Sequence, residues 1–176
     1  MMIFFIYPTN FAITAHEQMG LGLHTTTLIM VGLDLIAFFA GLVFGQLMQI
    51  FRTPIKYFAP LFFLVGYLCF ALAHGILLLL VGAVFTGVAN GVGVPYLNTI
   101  ASIKGGRNSA TTVMPLLSAS LYLGQFLSPV IVTPLAKIVF GDSDVAGAYK
   151  IGIVLCVIFL IQVYTTRHYQ SLPPEE

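Results

Sequence analysis

The spacing of the charged residues divides this chain into long apolar blocks. Only 7% of the 176 residues are Asp, Glu, Lys or Arg, whereas 59% are hydrophobic, and almost every charge falls between two blocks. A soluble domain carries about 25% charged residues, so this chain has too few polar groups to cover a surface in water. Because a helix of about 20 apolar residues spans a bilayer, the pattern predicts a protein embedded in lipid.

The apolar blocks number six, and their continuous runs favour helices over strands. In lipid the backbone groups must bond internally, which leaves helices or a closed barrel, and barrel strands would alternate over about ten residues. We predict one all-α transmembrane bundle over residues 1–176, with a polar tail at 168–176. Its six helices are expected at residues 2–15, 25–51, 56–73, 75–103, 109–140 and 146–167.

The distribution of positive charge predicts the orientation of the bundle. Five Lys and Arg residues fall on one side of the predicted helices, and only Lys137 and Lys150 fall on the other. The positive-inside rule then places the C-terminus in the cytoplasm. We expect the bundle to lie in the plasma membrane of the cell. The first block, of about 14 residues, reaches about 21 Å, short of a hydrocarbon core of about 30 Å. We therefore expect the first helix to be truncated at its beginning.

Polar and small residues recur at helical spacing on the first, second, fourth and fifth helices. Such side chains in a membrane face the bundle interior or a water-filled cavity. The residues predicted to line a substrate cavity are Tyr7, Asn10, Asn90, Asn98, Ser118, Tyr122 and Gln125. The alternative for these residues is hydrogen bonding between helices. The residues predicted to allow close helix packing are Gly41, Gly45, Gly87 and Gly91.

The third and sixth helices lack a polar stripe and are predicted as supports that face lipid over much of their surface. The polar helices thus come as one, two, four and five, which indicates a three-helix unit used twice. Tyr7-Pro8-Thr9-Asn10 and Pro95-Tyr96-Leu97-Asn98 lie in helices that cross in opposite directions. Inverted repeats with Pro-interrupted helices are typical of secondary transporters, so we predict a 3+3 inverted repeat.

Asp34 is the one charged residue that stands alone inside an apolar block. It lies about ten residues into its helix, which is about 15 Å deep. A carboxylate there costs at least about 2.5 to 3.5 kcal/mol on insertion scales, and no Lys or Arg lies at matching depth. We predict that Asp34 carries a proton or binds a cationic substrate. The alternative is a protonated carboxyl that bonds to a neighbouring Asn or Tyr, or pairs with another chain.

Two stretches resemble helices of a known family. FTGVANGVGVP at 85–95 is similar to the tenth helix, and LYLGQFLSP at 121–129 to the eleventh helix, of drug and metabolite:proton antiporters in the major facilitator superfamily. The resemblance covers nearly the whole chain as helices seven to twelve, the C-terminal half. In the family's cytoplasmic Gly-x-x-x-Asp-Arg-x-Gly motif, Gly45 matches, but Gln49 replaces the acid and Ile50 the arginine. That departure weakens any gating role for this loop.

The resemblance implies a secondary active transporter that exports small organic molecules or drugs by alternating access, driven by protons. Its partners would be a small-molecule substrate, protons, and a missing N-terminal six-helix half or a second chain. The alternative is a truncated membrane protein that transports nothing and acts only by assembling with another chain.

Other classes of function have less support in the sequence. An intramembrane serine protease would need a Gly-x-Ser-Gly sequence, which the chain lacks, and its histidines lie near helix ends, so no enzymatic activity is predicted. Its two cysteines fall in separate blocks without metal-ligand spacing, so no metal or cofactor is predicted. A net charge of +1 without a basic patch does not favour nucleic-acid binding.

Overall fold

The fold is that of a helical bundle in the computed structural model, which describes residues 2–51, 54–106, 109–141 and 144–165. Within these ranges every regular element is helical, and six helices correspond to the six apolar blocks. They are α1 (Ile3–Met19), α2 (Leu23–Phe51), α3 (Ile55–Ala71), α4 (Ile76–Gly105), α5 (109–140) and α6 (Gly147–Thr165). The predicted all-helical class is confirmed. The predicted tail at 168–176 and three of the loop charges, Arg52, Arg107 and Arg167, lie outside the described residues.

Four of the six described helices are long and apolar enough to cross a membrane. They are α2, α4 and α6, of 29, 30 and 19 residues, and the 30 residues Thr111–Phe140 of α5. α1 and α3 have 17 residues each, which extend about 26 Å at a rise of 1.5 Å per residue. The described chain therefore has four candidate membrane spans, which is compatible with a membrane protein, and two shorter helices pack among them.

Helix ends follow glycine and backbone geometry more closely than polarity. α1 continues to Met19, beyond the predicted end at Ala15, because the polar residues His16 and Glu17 do not interrupt helical hydrogen bonding. Gly20 ends the helix: it adopts a left-handed conformation with φ of 61°, and its N–H donates to the His16 carbonyl at 3.0 Å. Glycine is favoured at this position because it has no Cβ to clash.

α5 is a continuous helix with two wide turns. π-helical turns at Ser109–Val113 and Ser128–Val132 flank its central α-helical part, Met114–Leu127, and Thr133–Phe140 completes it. Proline has no N–H and clashes with the carbonyl four residues earlier. Pro129 lies within the second wide turn, and Pro115 and Pro134 lie directly after the two turns, so widening of the helix accommodates them.

An aromatic core joins α1, α3 and α6. Phe63, Tyr67 and Phe70 of α3 are at most 1% exposed, and α3 packs most extensively on α4 and α6. The ring of Phe70 lies 5.5 Å from that of Tyr7 and 5.0 Å from that of Tyr149. The prediction that α3 faces lipid over much of its surface was wrong, since eight of its 17 residues are buried. Aromatic side chains at helical spacing form a packing face that a search for polar stripes does not detect.

Candidate functional site

A seam of small residues brings the backbones of α2 and α4 into direct contact. A Cβ added to Gly91 would lie 2.2 Å from the Ala37 carbonyl oxygen and 2.7 Å from the Ala40 Cβ, and one added to Gly87 would lie 3.0 Å from the Leu33 carbonyl oxygen. Such distances are far inside van der Waals contact. Only glycine on α4 therefore permits the two helices to lie this close.

An open cleft of about 490 Å³ runs along this seam between α2 and α4. Asp34 contributes a carboxylate from α2, and Asn90 contributes an amide from α4. The full lining consists of Asp34, Ala37, Phe38, Gly41, Leu42, Asn90, Gly91, Val94 and Pro95. The structure thus brings together four residues singled out from the sequence, namely Asp34, Gly41, Asn90 and Gly91.

The polar groups of this cleft are free to meet a ligand. Asp34 is exposed, and neither its carboxylate nor the Asn90 amide forms a hydrogen bond or ion pair with another described residue. Pro95 has no N–H to donate to the Gly91 carbonyl four residues earlier, and that oxygen lies at the seam, 3.5 Å from where a Gly41 Cβ would stand. A carboxylate, an amide and a backbone carbonyl therefore face a largely apolar surface.

This arrangement suits the binding of a proton or of an organic cation. The carboxylate supplies the charge, while the exposed Phe38 and Leu42 side chains supply apolar contact on the same helix face. In the part of the chain that the structure describes, no three His, Cys, Asp or Glu side chains lie together as metal ligands would. The chemistry of the cleft is therefore that of one carboxylate and its neutral neighbours.

Tyr7 and Asn10, both predicted to line a cavity, are buried on α1, and Asn10 belongs to a hydrogen-bonded network there. The Thr133 hydroxyl of α5 donates to Asn10 Oδ1 at 3.2 Å, and the Asn10 amide donates to the Ile6 carbonyl at 2.9 Å. Neither Asn10 nor Thr133 lines the α2–α4 cleft. Asn10 thus forms a hydrogen bond between helices and also lines a second pocket, described below.

The same face of α1 also bonds to α6. The hydroxyls of Thr14 and Tyr149 lie 3.1 Å apart, and both residues are fully buried. Tyr149 was not recognised from the sequence as part of a polar network. In the sequence, a tyrosine near the start of a membrane helix resembles an interfacial anchor. Only the contact with Thr14 shows that Tyr149 belongs to a buried network instead.

A second, smaller pocket of about 200 Å³ lies next to this network, where α1, α5 and α6 meet. We call it the end pocket. Its lining consists of Asn10, Ile13, Glu17, Thr133, Ala136, Lys137, Asp144, Val145 and Ala148. Asp144 also accepts from the Lys150 ammonium at 2.6 Å. The bonded pair Asn10 and Thr133 is thus shared between the buried network and a pocket that carries charged groups.

The remaining predicted residues lie on surfaces that the described chain leaves uncovered. Asn98, Ser118, Tyr122 and Gln125 are exposed, Tyr122 to 72%, and none lines the α2–α4 cleft. A Cβ added to Gly45 would meet nothing within 4 Å, so close helix packing does not require glycine at this position. Phe38 lines the cleft but was missed, because its apolar side chain carried no signal of a site, whereas Pro95 was noted in the sequence only as a helix interruption.

Comparison with protein-family models, with curated proteins and with solved structures found no match for this chain. The features that bear on its function are therefore the α2–α4 cleft, the buried network and the sequence motifs.

Proposed function

We propose that this chain is the C-terminal six-helix half of a secondary active transporter of the major facilitator type, built as a 3+3 inverted repeat in the cell membrane. It would export small organic molecules or drugs by alternating access, coupled to protons through Asp34. The C-terminus would lie in the cytoplasm. The observation that most supports this proposal is the Asp34–Asn90 cleft between α2 and α4.

The position of Asp34 argues for a functional carboxylate. It lies about two fifths of the way along the 29 residues of α2, and it has neither a cation nor a hydrogen-bond donor bound to it among the described residues. Leaving an ionised carboxylate against lipid at that depth costs about 2.5 to 3.5 kcal/mol on insertion scales. A water-filled cavity, a bound proton or a cationic ligand would each remove that cost.

The uncovered faces of the bundle support a second six-helix unit as partner. Asp34 shares its face of α2 with Phe38 and Leu42, which are 60% and 64% exposed. Tyr122 and Gln125 lie on a similarly uncovered face of α5. Alternating access requires two units that rock about a shared central site, and these mixed polar and apolar faces are suited to form one wall of it.

The same uncovered faces also favour the second candidate, a non-transporting membrane protein that acts only by assembly. Both candidates predict a partner, but only the transporter predicts a role for the Asp34 carboxylate. The charge at position 34 therefore separates them.

The test is flux of a lipophilic cation such as ethidium in proteoliposomes that contain the full chain with the partner it binds in its native membrane. We expect a pH gradient to drive flux with the wild-type chain and with Asp144→Asn, which changes a carboxyl group outside the membrane-spanning helices. We expect Asp34→Asn to lose gradient-driven flux but to keep ethidium exchange without a gradient, because the cleft remains. Unchanged gradient-driven flux in Asp34→Asn would refute the coupling role. A stable wild-type complex without any flux would favour the assembly protein.

A further inference from the structure

The two polar side chains at the inner end of the end pocket offer a ligand only hydrogen-bond acceptors. Asn10, which is 5% exposed, and Thr133 form this end. The Thr133 hydroxyl already donates its proton to Asn10 Oδ1 at 3.2 Å. Both amide hydrogens of Asn10 are used as well, on the Ile6 carbonyl at 2.9 Å and on Thr9 Oγ1 at 3.1 Å. Lone pairs of Asn10 Oδ1 and Thr133 Oγ remain, so a ligand that reaches this end must donate.

The outer end of the pocket carries a carboxylate, Glu17, that is not engaged by the rest of the described chain. Asp144 uses both of its oxygens, one for the Ala146 N–H at 3.1 Å and the other for the Lys150 ammonium at 2.6 Å. Lys137 also interacts with another group of the protein. Glu17 is exposed and forms no hydrogen bond or ion pair with another described residue. Its negative charge is therefore available to a cation.

The position of Glu17 on α1 is unfavourable unless a cation lies beside it. α1 ends at Met19, and the unpaired carbonyls of a last turn give that end of a helix a partial negative charge. A carboxylate there adds charge of the same sign, whereas a cation would be attracted. The neighbouring His16 does not share its helix face, since adjacent residues of a helix point in different directions. A bound cation would thus relieve a repulsion built into this helix end.

We propose that the end pocket binds a small organic ammonium compound that carries a second hydrogen-bond donor, a hydroxyl, at its other end. The ammonium group binds Glu17, and the hydroxyl donates to Thr133 Oγ or Asn10 Oδ1. Glu17 lies seven residues after Asn10, about 10 Å further along α1, and Ile13 lies between them on the same face and contacts a short alkyl chain.

The size of the pocket limits the ligand. A volume of about 200 Å³ equals that of about seven water molecules at about 30 Å³ each, so the ligand has about six or seven non-hydrogen atoms. The pocket lies where α6 begins, at the end of the bundle away from the C-terminal end of that helix. In the orientation proposed above, that end faces the cell exterior. The site is separate from the α2–α4 cleft, and its occupancy does not depend on transport.

The probe is 4-amino-1-butanol, titrated at pH 7 onto the full chain in nanodiscs and followed by saturation-transfer-difference NMR, with empty nanodiscs as the blank. Two matched amines test the second donor. n-Pentylamine has the same number of non-hydrogen atoms but no hydroxyl, and 4-aminobutyrate has a carboxylate in place of the alcohol. We expect the wild-type chain to bind 4-amino-1-butanol about threefold to tenfold more tightly than either, the effect of one hydrogen bond. Equal or tighter binding of 4-aminobutyrate would overturn the assignment of an acceptor-only inner end.

Two substitutions test the two ends of the pocket. Glu17→Gln keeps the size of an exposed side chain and should weaken binding of 4-amino-1-butanol and of n-pentylamine alike, by about fivefold. Thr133→Val removes a hydroxyl and should bring 4-amino-1-butanol down to the affinity of n-pentylamine without changing the latter. A loss of structure in Thr133→Val would instead lower both affinities.

Asp34→Asn shows whether the amine binds elsewhere, and we expect it to bind 4-amino-1-butanol as the wild-type chain does. No binding to the wild-type chain, or wild-type affinity in Glu17→Gln with unchanged circular dichroism, would overturn the proposal. Binding lost in Asp34→Asn alone would place the amine in the α2–α4 cleft and would overturn it as well. The flux test of Asp34→Asn is decided separately, so failure of this site and failure of the proposed function can be told apart.

Discussion

Replacement of Gly91 by alanine tests the close approach of α2 and α4, on which the candidate site depends. The added Cβ would lie 2.2 Å from the Ala37 carbonyl oxygen and 2.7 Å from the Ala40 Cβ. Because the first contact is to backbone, the helices must separate by about 1 Å, and overpacking of this kind costs about 1 to 3 kcal/mol. We take about 3 kcal/mol, since two hard contacts arise together, and subtract about 1 kcal/mol for the better helix propensity of alanine. The expected net loss of unfolding free energy is about 2 kcal/mol.

The measurement is unfolding in mixed micelles with increasing sodium dodecyl sulfate, followed by far-ultraviolet circular dichroism. Gly45→Ala is the matched control on α2, because an added Cβ there would meet nothing within 4 Å. We expect that variant to be unchanged or more stable by up to about 1 kcal/mol, so the unfolding free energies of the two variants should differ by about 2 to 3 kcal/mol. If Gly91→Ala is as stable as Gly45→Ala, α2 and α4 do not meet at Gly91, and the cleft lined by Asp34 and Asn90 is not formed as described.

Two further predictions concern the network around α6. Asp144→Ala should lower the unfolding free energy by about 1 kcal/mol more than Lys150→Ala in the same assay. Asp144 also accepts the Ala146 N–H at 3.1 Å in the turn that leads into α6, whereas the partly exposed ion pair alone contributes about 0 to 1 kcal/mol. Equal effects would exclude a contribution from this turn. A double-mutant cycle of Thr14→Val with Tyr149→Phe should give a coupling energy of about 0.6 kcal/mol, typical of hydrogen bonds between membrane helices, and strict additivity would contradict the bond at 3.1 Å.

Much of the fold could be predicted because lipid imposes a simple rule on sequence. Apolar blocks must be helical in a membrane, so six blocks gave six helices with boundaries displaced by only a few residues. The displacement in α1 arose at a glycine, Gly20, whose left-handed conformation ends the helix. Hydropathy does not register that conformation.

The candidate site could be predicted only in part, because helix faces are known from spacing but helix neighbours are not. Asp34 and Asn90 were identified one by one as polar residues in apolar surroundings, and the structure places both in one cleft. Asn10 was selected by the same criterion, but it lies away from that cleft, bonded to Thr133 beside the smaller pocket. A polar side chain that lines a cavity and one that bonds to a neighbouring helix have the same sequence pattern. Only the identity of the facing helix separates them.

The aromatic core between α1, α3 and α6 has an optical consequence. The sequence contains eight tyrosines and no tryptophan, and Tyr7, Tyr67 and Tyr149 are held in fixed, buried contacts. Immobile, asymmetrically packed rings give a near-ultraviolet circular dichroism signal, which is lost when tertiary packing loosens even if helices persist. The chain thus carries its own reporter of how α3 and α6 pack. A single tryptophan introduced at Phe38 would add the only indole fluorescence, and that fluorescence would report occupancy of the α2–α4 cleft.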